Sequence, residues 1–217
     1  SLQGPRSEAL LGDLAGEIAL PKQTAHHAML NVDGAAICIV RDSYTGEIGL
    51  DLIIPKADLA SVAQRLTEIG RQFGAVWIGH EALETLRIEA GILFYGADVT
   101  EDNLLLETAL DSHVSFTKGC YLGQEIVERV RSRGHVNKKL RGLLIDGAIL
   151  ARHGDVIRAG EKQVGTITSS TYSPKLARAI ALGYVHHDYW QTGTPLTIHR
   201  DDASLSAQVT ELPFVKA

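Results

Sequence analysis

The chain has 217 residues, 45% of them hydrophobic and 22% charged, with a formal net charge of −5. That length holds one large domain or two small ones with an ample core, and the composition is that of an ordinary soluble globular protein. The acidic balance argues against wholesale nucleic-acid or membrane binding, and no apolar run approaches the roughly 18–20 residues that a membrane helix needs.

Two cysteines, Cys38 and Cys120, make neither a disulfide framework nor a CxxC metal pair. No charged-then-apolar leader opens the sequence, so the default compartment is the bacterial cytoplasm, or the mitochondrial matrix if the source is eukaryotic.

Residues 6–14 read as a short helix with apolar positions at Leu10, Leu11 and Leu14. Residues 26–32 and 35–41 read as strands joined by Asp33-Gly34, a type I′ hairpin signal. Cys38 lies in the apolar run Ala35-Ala36-Ile37-Cys38-Ile39-Val40 and reads as a small core hydrophobe. The glycine-punctuated turn Tyr44-Thr45-Gly46-Glu47-Ile48-Gly49 leads to a strand over 50–54. Residues 55–70 show helical spacing at Leu59, Val62, Leu66 and Ile69, with Gly70 as the expected C-cap.

A short strand over 75–78, a helix over 80–90 closed by Gly91 and a polar loop over 98–103 follow. Residues 114–117 suggest a strand and 119–133 a helix ended by Gly134. From Lys139 the texture changes to β-rich segments at 140–145, 164–168, 180–185, 195–199 and 206–211, separated by glycine-rich turns. That pattern predicts a small antiparallel barrel or sandwich. The expected organisation is α+β over residues 1–137 and an all-β domain over 138–217.

Several constellations suit chemistry. Glu47, held in a glycine turn, can offer its carboxylate to a paired N–H edge of the kind that pterins and guanines present. Such a charge-assisted bidentate contact is strong and directional. The plainer alternative is a solvent-exposed turn glutamate. Arg87, near a helix end in Leu86-Arg87-Ile88-Glu89-Ala90-Gly91, has a planar fork that suits a carboxylate or ring edge. Its alternative is a surface ion pair worth under about 1 kcal/mol.

Lys118-Gly119-Cys120-Tyr121-Leu122-Gly123-Gln124-Glu125 places a thiol, a cation, two glycines and a carboxylate at an expected helix start. A cation and helix-start N–H groups beside a thiol favour the thiolate, which makes Cys120 and Lys118 the candidate catalytic residues. The alternative is a half-buried cysteine with packing glycines. His113 and His135 flank the segment, and nothing in the sequence orients either as a base.

The basic run Arg129, Arg131, Arg133, Lys138, Lys139 and Arg141 suits an anionic tail, a phosphate backbone or an acidic partner, or else is a solvated face interrupted by Glu128. His26-His27 and His186-His187 are adjacent pairs, and adjacent strand residues point to opposite faces, so no metal site is expected. Dinucleotide, P-loop and nucleophile-elbow motifs are absent.

The order of these pieces resembles the family shared by the glycine-cleavage T-protein (aminomethyltransferase) and its relative YgfZ. Ser1-Leu2-Gln3-Gly4-Pro5 is similar to the family's "LQGP". Arg41 with Tyr44-Thr45-Gly46-Glu47 and Gly49 is similar to "R-x-GYTGE-x-G", with Ser43 standing where the family has glycine. Leu86-Arg87-Ile88-Glu89-Ala90-Gly91 with Tyr95-Gly96 and Asp98 is similar to "LRLEAG…YG-x-D". In the β-rich half, Gly165-Thr166-Ile167-Thr168-Ser169-Ser170, Ser173-Pro174, Ala181-Leu182-Gly183-Tyr184-Val185 and Leu212-Pro213-Phe214 resemble the C-terminal pattern. Residues 118–125, continuing to Arg133-Gly134-His135-Val136-Asn137-Lys138, are similar to the YgfZ signature "KGCYxGQE…RGHVNK", so the resemblance favours that branch.

The resemblance implies an aminomethyltransferase-like folate-binding fold with a C-terminal antiparallel β-barrel. The family's further N-terminal segment of very roughly a hundred residues, which supplies an acidic residue near the folate's reactive nitrogen, is expected to be missing. It implies tetrahydrofolate or a one-carbon derivative as cofactor, with Tyr44, Glu47, Arg87, Tyr121 and Glu125 as candidate binding residues. The implied role is iron–sulphur cluster assembly or repair, with client proteins or assembly factors as partners. The rival readings are a tetrahydrofolate-dependent aminomethyltransferase and an RNA-binding or tRNA-modification accessory module.

Overall fold

The structure, a computed structural model, describes residues 1–16, 19–108, 110, 113–134, 136–201 and 203–216, without the side chains of Ala15 and Arg133. His135 therefore lies outside the described residues. Two compact units divide the chain, Ser1–Arg87 and Ile88–Lys216. Among the described residues no helix is long and apolar enough to cross a membrane.

The first unit holds β1 (Leu2–Gln3), α1 (Ser7–Ala15), β2 (His27–Val32), β3 (Ala35–Arg41), β4 (Gly49–Ile53) and α2 (Leu59–Phe73), and most of α3 (His80–Glu89). Its sheet is antiparallel in the order β1-β4-β3-β2. The β2–β3 hairpin turns at Asp33 and Gly34 with φ of 51° and 92°. A type I′ turn requires positive φ at both central residues, so the Asp-Gly signal meets its physical demand.

One face of the sheet forms the core: Leu30, Val32, Ile37, Ile39 and Leu50 cluster with Leu11 of α1 and Val62 of α2. Because strand side chains alternate, burying Ile37 and Ile39 turns Cys38 to the other face. There it is only half-buried, paired in register with Met29 and Ile53. The expectation of a core cysteine fails on that parity.

α2 runs past Gly70 to Phe73 and ends at Gly74, which takes the left-handed conformation with φ 70°. Gly70 serves packing instead: a Cβ there would lie 3.0 Å from that of Ala75. Residues 75–78 form no strand. Val76 and Trp77 are 78% and 73% exposed, and the Trp77 Nε1–H donates to Thr67 Oγ1 at 3.0 Å.

In the second unit, turns and a short 3₁₀ segment (Leu105–Glu107) precede α4 (Gln124–Arg133). Residues 114–117 are irregular rather than a strand. α4 starts five residues later than its pattern suggests, because Gly123 adopts φ 88° and breaks the helical run. It ends, as expected, at left-handed Gly134.

Six strands then close into an antiparallel barrel: β5 (Lys138–Ile145), β6 (Val156–Ala159), β7 (Lys162–Ser173), β8 (Arg178–His186), β9 (Pro195–Arg200) and β10 (Ala203–Thr210), in the order β10-β5-β8-β7-β6-β9. The fold is therefore α+β followed by a closed barrel. Closure removes free sheet edges, and Leu143, Ile145, Ile157, Ile167, Ile198 and Val209 fill the interior. The sequence pattern passes over β6, a four-residue strand.

Candidate functional site

The turn between β3 and β4 is braced from several directions. Gln3, from β1, accepts the Tyr44 backbone N–H at Oε1 (3.0 Å) and donates from Nε2 to the Asp42 carbonyl (3.2 Å). The Ser43 hydroxyl donates to the Glu47 carbonyl at 2.6 Å, closing the turn on itself. Gly49 admits this closeness, since a Cβ there would sit 2.0 Å from the Asp42 carbonyl oxygen. Ser43, the departure from the family's glycine, thus acts as a clasp.

Within the turn, the Glu47 side chain is half-buried and its carboxylate makes no hydrogen bond or ion pair with any described residue. A carboxylate carried on a braced backbone and without a partner among the described residues is available to a ligand. Tyr44 differs, because its hydroxyl donates to Asp51 Oδ2 at 2.7 Å. That hydrogen bond, with burial and the Asp51 and Asp42 charges behind it, pushes the phenol up to about 12. Only the ring of Tyr44 remains to meet a ligand.

Arg87 is buried at the end of α3. Its Nε and Nη2 donate to the two oxygens of Glu84, one turn earlier. Part of the fork read as a ligand clamp is thus taken up within the helix. The Glu89 carboxylate, two residues on, accepts the Ser173 hydroxyl.

In the second unit Cys120 is exposed and lies outside α4, four residues before its first. The helix-start setting expected of it does not form, for the reason of Gly123. The Tyr121 N–H donates to Gln124 Oε1 at 3.1 Å. The Lys118 ammonium lies 4.7 Å from the centroid of the Tyr121 ring, a cation–π placement that covers one face of that ring. Leu122 and Ile126 are exposed, and Glu125 is exposed in the first turn of α4.

The basic run is not one free cationic face. Arg131 pairs with Glu128 and lies over Phe116, Lys138 meets Glu107 at 3.8 Å, and Arg141 lies over Trp190.

Sequence reasoning misses the polar interior of the barrel unit. Asp98, buried, accepts the Thr168 hydroxyl at 2.6 Å and the Phe94 N–H at 3.0 Å, while its carbonyl accepts the Tyr184 hydroxyl. Burial first, then the Glu107 and Asp98 charges, push the Tyr184 phenol far up. Beside these residues is a cavity of about 600 Å³ lined by Glu107, Lys138, Gln163, Thr166, Tyr184 and His186, among others. The pairing of Asp98 with Thr168 spans 70 positions, so no local signal reveals it.

An antiparallel α+β unit with a clasped turn, followed by a closed six-stranded barrel unit, defines a T-protein-like fold. Residues 1–118 match the GCVT N-terminal domain and residues 138–216 the glycine cleavage T-protein C-terminal barrel domain. The chain belongs to the glycine cleavage T-protein family. It is 35% identical to an aminomethyltransferase of Thermosynechococcus vestitus, over 100% of this chain and 58% of that one. To the aminomethyltransferase of Halothermothrix orenii it is 32% identical, over 99% and 60%. The crystal structure of glycine cleavage system aminomethyltransferase T from Bartonella henselae superposes with a TM-score of 0.86 at 26% identity, covering 99% of this chain and 58% of that one. The chain thus spans about 58% of the length of such relatives. These relatives carry the aminomethyltransferase name, whereas the motif had favoured the YgfZ branch.

Proposed function

We propose that this chain binds tetrahydrofolate or a one-carbon derivative and that the protein takes part in aminomethyl transfer. Glu47 is the observation that carries the reading: an unengaged carboxylate in a braced turn, in a chain similar along its length to aminomethyltransferases. A pterin presents an exocyclic amine beside a ring N–H, which matches two carboxylate oxygens, so the donor set fits the group. When bound, tetrahydrofolate supplies the amine nitrogens that accept a one-carbon unit.

Glu47 holds and orients the ring on this reading. The Ser43 and Gln3 contacts set its backbone before the ligand arrives, which lowers the ordering cost of binding. Tyr44 offers its ring edge, and Arg87 is a donor already oriented by Glu84. The names of the relatives support the transfer reaction. A one-carbon transfer assay with tetrahydrofolate and an aminomethyl donor tests it, with turnover expected.

A second reading has its own observation. Residues 119–137 fall between the two matched domains. They include the exposed Cys120 and exposed Leu122 of the segment that resembles the YgfZ signature. On that reading the protein binds folate without turnover and supports assembly or repair of iron–sulphur enzymes. Cys120 then gives one of the four ligands that a cluster generally wants, a client or assembly factor giving the rest. Folate binding without turnover, with cluster-enzyme activity lost in Cys120→Ser cells, favours it. Absence of folate binding overturns both readings.

A further inference from the structure

The end of β8 brings three metal-ligating side chains together at a place where strand alternation predicts separation. β8 stops at His186, and a 3₁₀ turn over His187–Tyr189 begins at once. The alternation of faces therefore stops between the two histidines, and their ring centroids lie 4.4 Å apart. Asp188 completes the group. One donor atom from each of His186, His187 and Asp188 lies within 4.8 Å of the other two. The carboxylate reaches both rings, with Oδ1 2.9 Å from His187 Nε2 and Oδ2 3.4 Å from His186 Nδ1.

The backbone that carries these donors is held in place. His186 pairs with Lys138 in the β5–β8 ladder, and the His187 N–H donates to the Asn137 carbonyl at 2.9 Å. Tyr189 and Trp190, next in the chain, pack against the barrel core, and the His187 ring meets Trp190 edge-on at 6.2 Å. Two cations of this region are turned onto rings, Lys138 over Tyr184 and Lys162 over Tyr189. A donor set built on a fixed turn needs little ordering to bind an ion.

We propose that His186, His187 and Asp188 form a surface site for a borderline divalent transition metal such as Zn²⁺ or Co²⁺. Two imidazoles and one carboxylate suit such ions, whereas Mg²⁺ and Ca²⁺ prefer all-oxygen sets. Ligand bonds of about 2.0–2.2 Å in a tetrahedral arrangement bring the donors to about 3.4 Å from one another. The side chains are 36%, 42% and 53% exposed, which leaves them room to rotate toward that spacing. Three protein ligands leave a coordination position for water or an added ligand. His186 also lines the cavity with Lys138, Glu107 and Tyr184, so an ion held there borders that space.

The test is a titration of Zn²⁺ into the untagged protein against a competing chelator, with Co²⁺ absorption as a second readout of ligand type. One equivalent is expected, with visible Co²⁺ bands of a nitrogen–oxygen ligand set. His187→Ala and Asp188→Asn should each weaken binding by about tenfold or more and alter the bands, while circular dichroism stays that of the native protein. His26→Ala combined with His27→Ala should leave both readouts unchanged. If the protein takes up no ion, or if His187→Ala and Asp188→Asn titrate as wild type, the site does not exist.

Discussion

The turn before β4 and the loop before α4 are both glycine-bearing segments that the sequence singles out, and they are built in opposite ways. The first is tied down by Gln3, Ser43 and the close approach at Gly49, and leaves the Glu47 carboxylate unengaged. The second exposes its thiol, covers the Tyr121 ring with Lys118, and has space around Gly119 and Gly123. A preorganised polar group with no partner is what small-ligand recognition wants. The second segment instead presents an accessible thiol and an exposed Leu122. Similar motifs thus differ in which side-chain groups are already engaged.

Glycine substitutions should separate the two segments most widely. Gly49→Ala places a Cβ 2.0 Å from the Asp42 carbonyl oxygen and 2.6 Å from Gln3 Oε1. Backbone cannot yield as a side chain can, so we expect a loss of about 3 kcal/mol in urea unfolding. Gly119→Ala meets nothing within 4 Å and should change stability by less than about 0.5 kcal/mol. Equal losses at the two positions would remove the contrast.

Opening the clasp is the next step down. Ser43→Ala removes the hydrogen bond to the Glu47 carbonyl, which should cost about 1 kcal/mol in the same unfolding measurement. Folate binding should weaken with it, because the carboxylate is less well fixed.

The smallest effect is confined to alkaline pH. Tyr44 must keep its proton to donate to Asp51, and its folded value of about 12 stands above the ordinary one. Its contribution is complete below the unfolded value near 10 and is lost as pH rises through about 12. Tyr44→Phe should therefore show a shallower fall in unfolding free energy than wild type across that interval. Parallel curves would mean that the Tyr44–Asp51 bond contributes nothing there.

Local rules carried much of the fold. Asp33-Gly34 specified the hairpin because few residues tolerate two successive positive φ values, and the barrel strands showed themselves through turn spacing. Non-local effects account for the misses. Residues 75–78 are apolar yet find no neighbouring strand, Gly70 is kept by its packing on Ala75, and Cys38 follows the parity of Ile37 and Ile39. The site was legible as residue types but not as availability. Glu47 is unengaged, whereas the Tyr44 hydroxyl, part of the Arg87 fork and the Lys118 cation have partners in Asp51, Glu84 and the Tyr121 ring. The His186–Asp188 group lay hidden because its two histidines read as strand neighbours on opposite faces, whereas β8 stops between them.

The most direct test of the account is calorimetric titration of tetrahydrofolate into the wild-type protein, Glu47→Gln and Cys120→Ser. A charge-assisted contact of this kind contributes about 1.5–3 kcal/mol, so Glu47→Gln should bind roughly ten- to a hundredfold more weakly, with Cys120→Ser within about twofold of wild type. Wild-type affinity in Glu47→Gln, or loss of binding in Cys120→Ser, would contradict the assignment of the ligand to the turn.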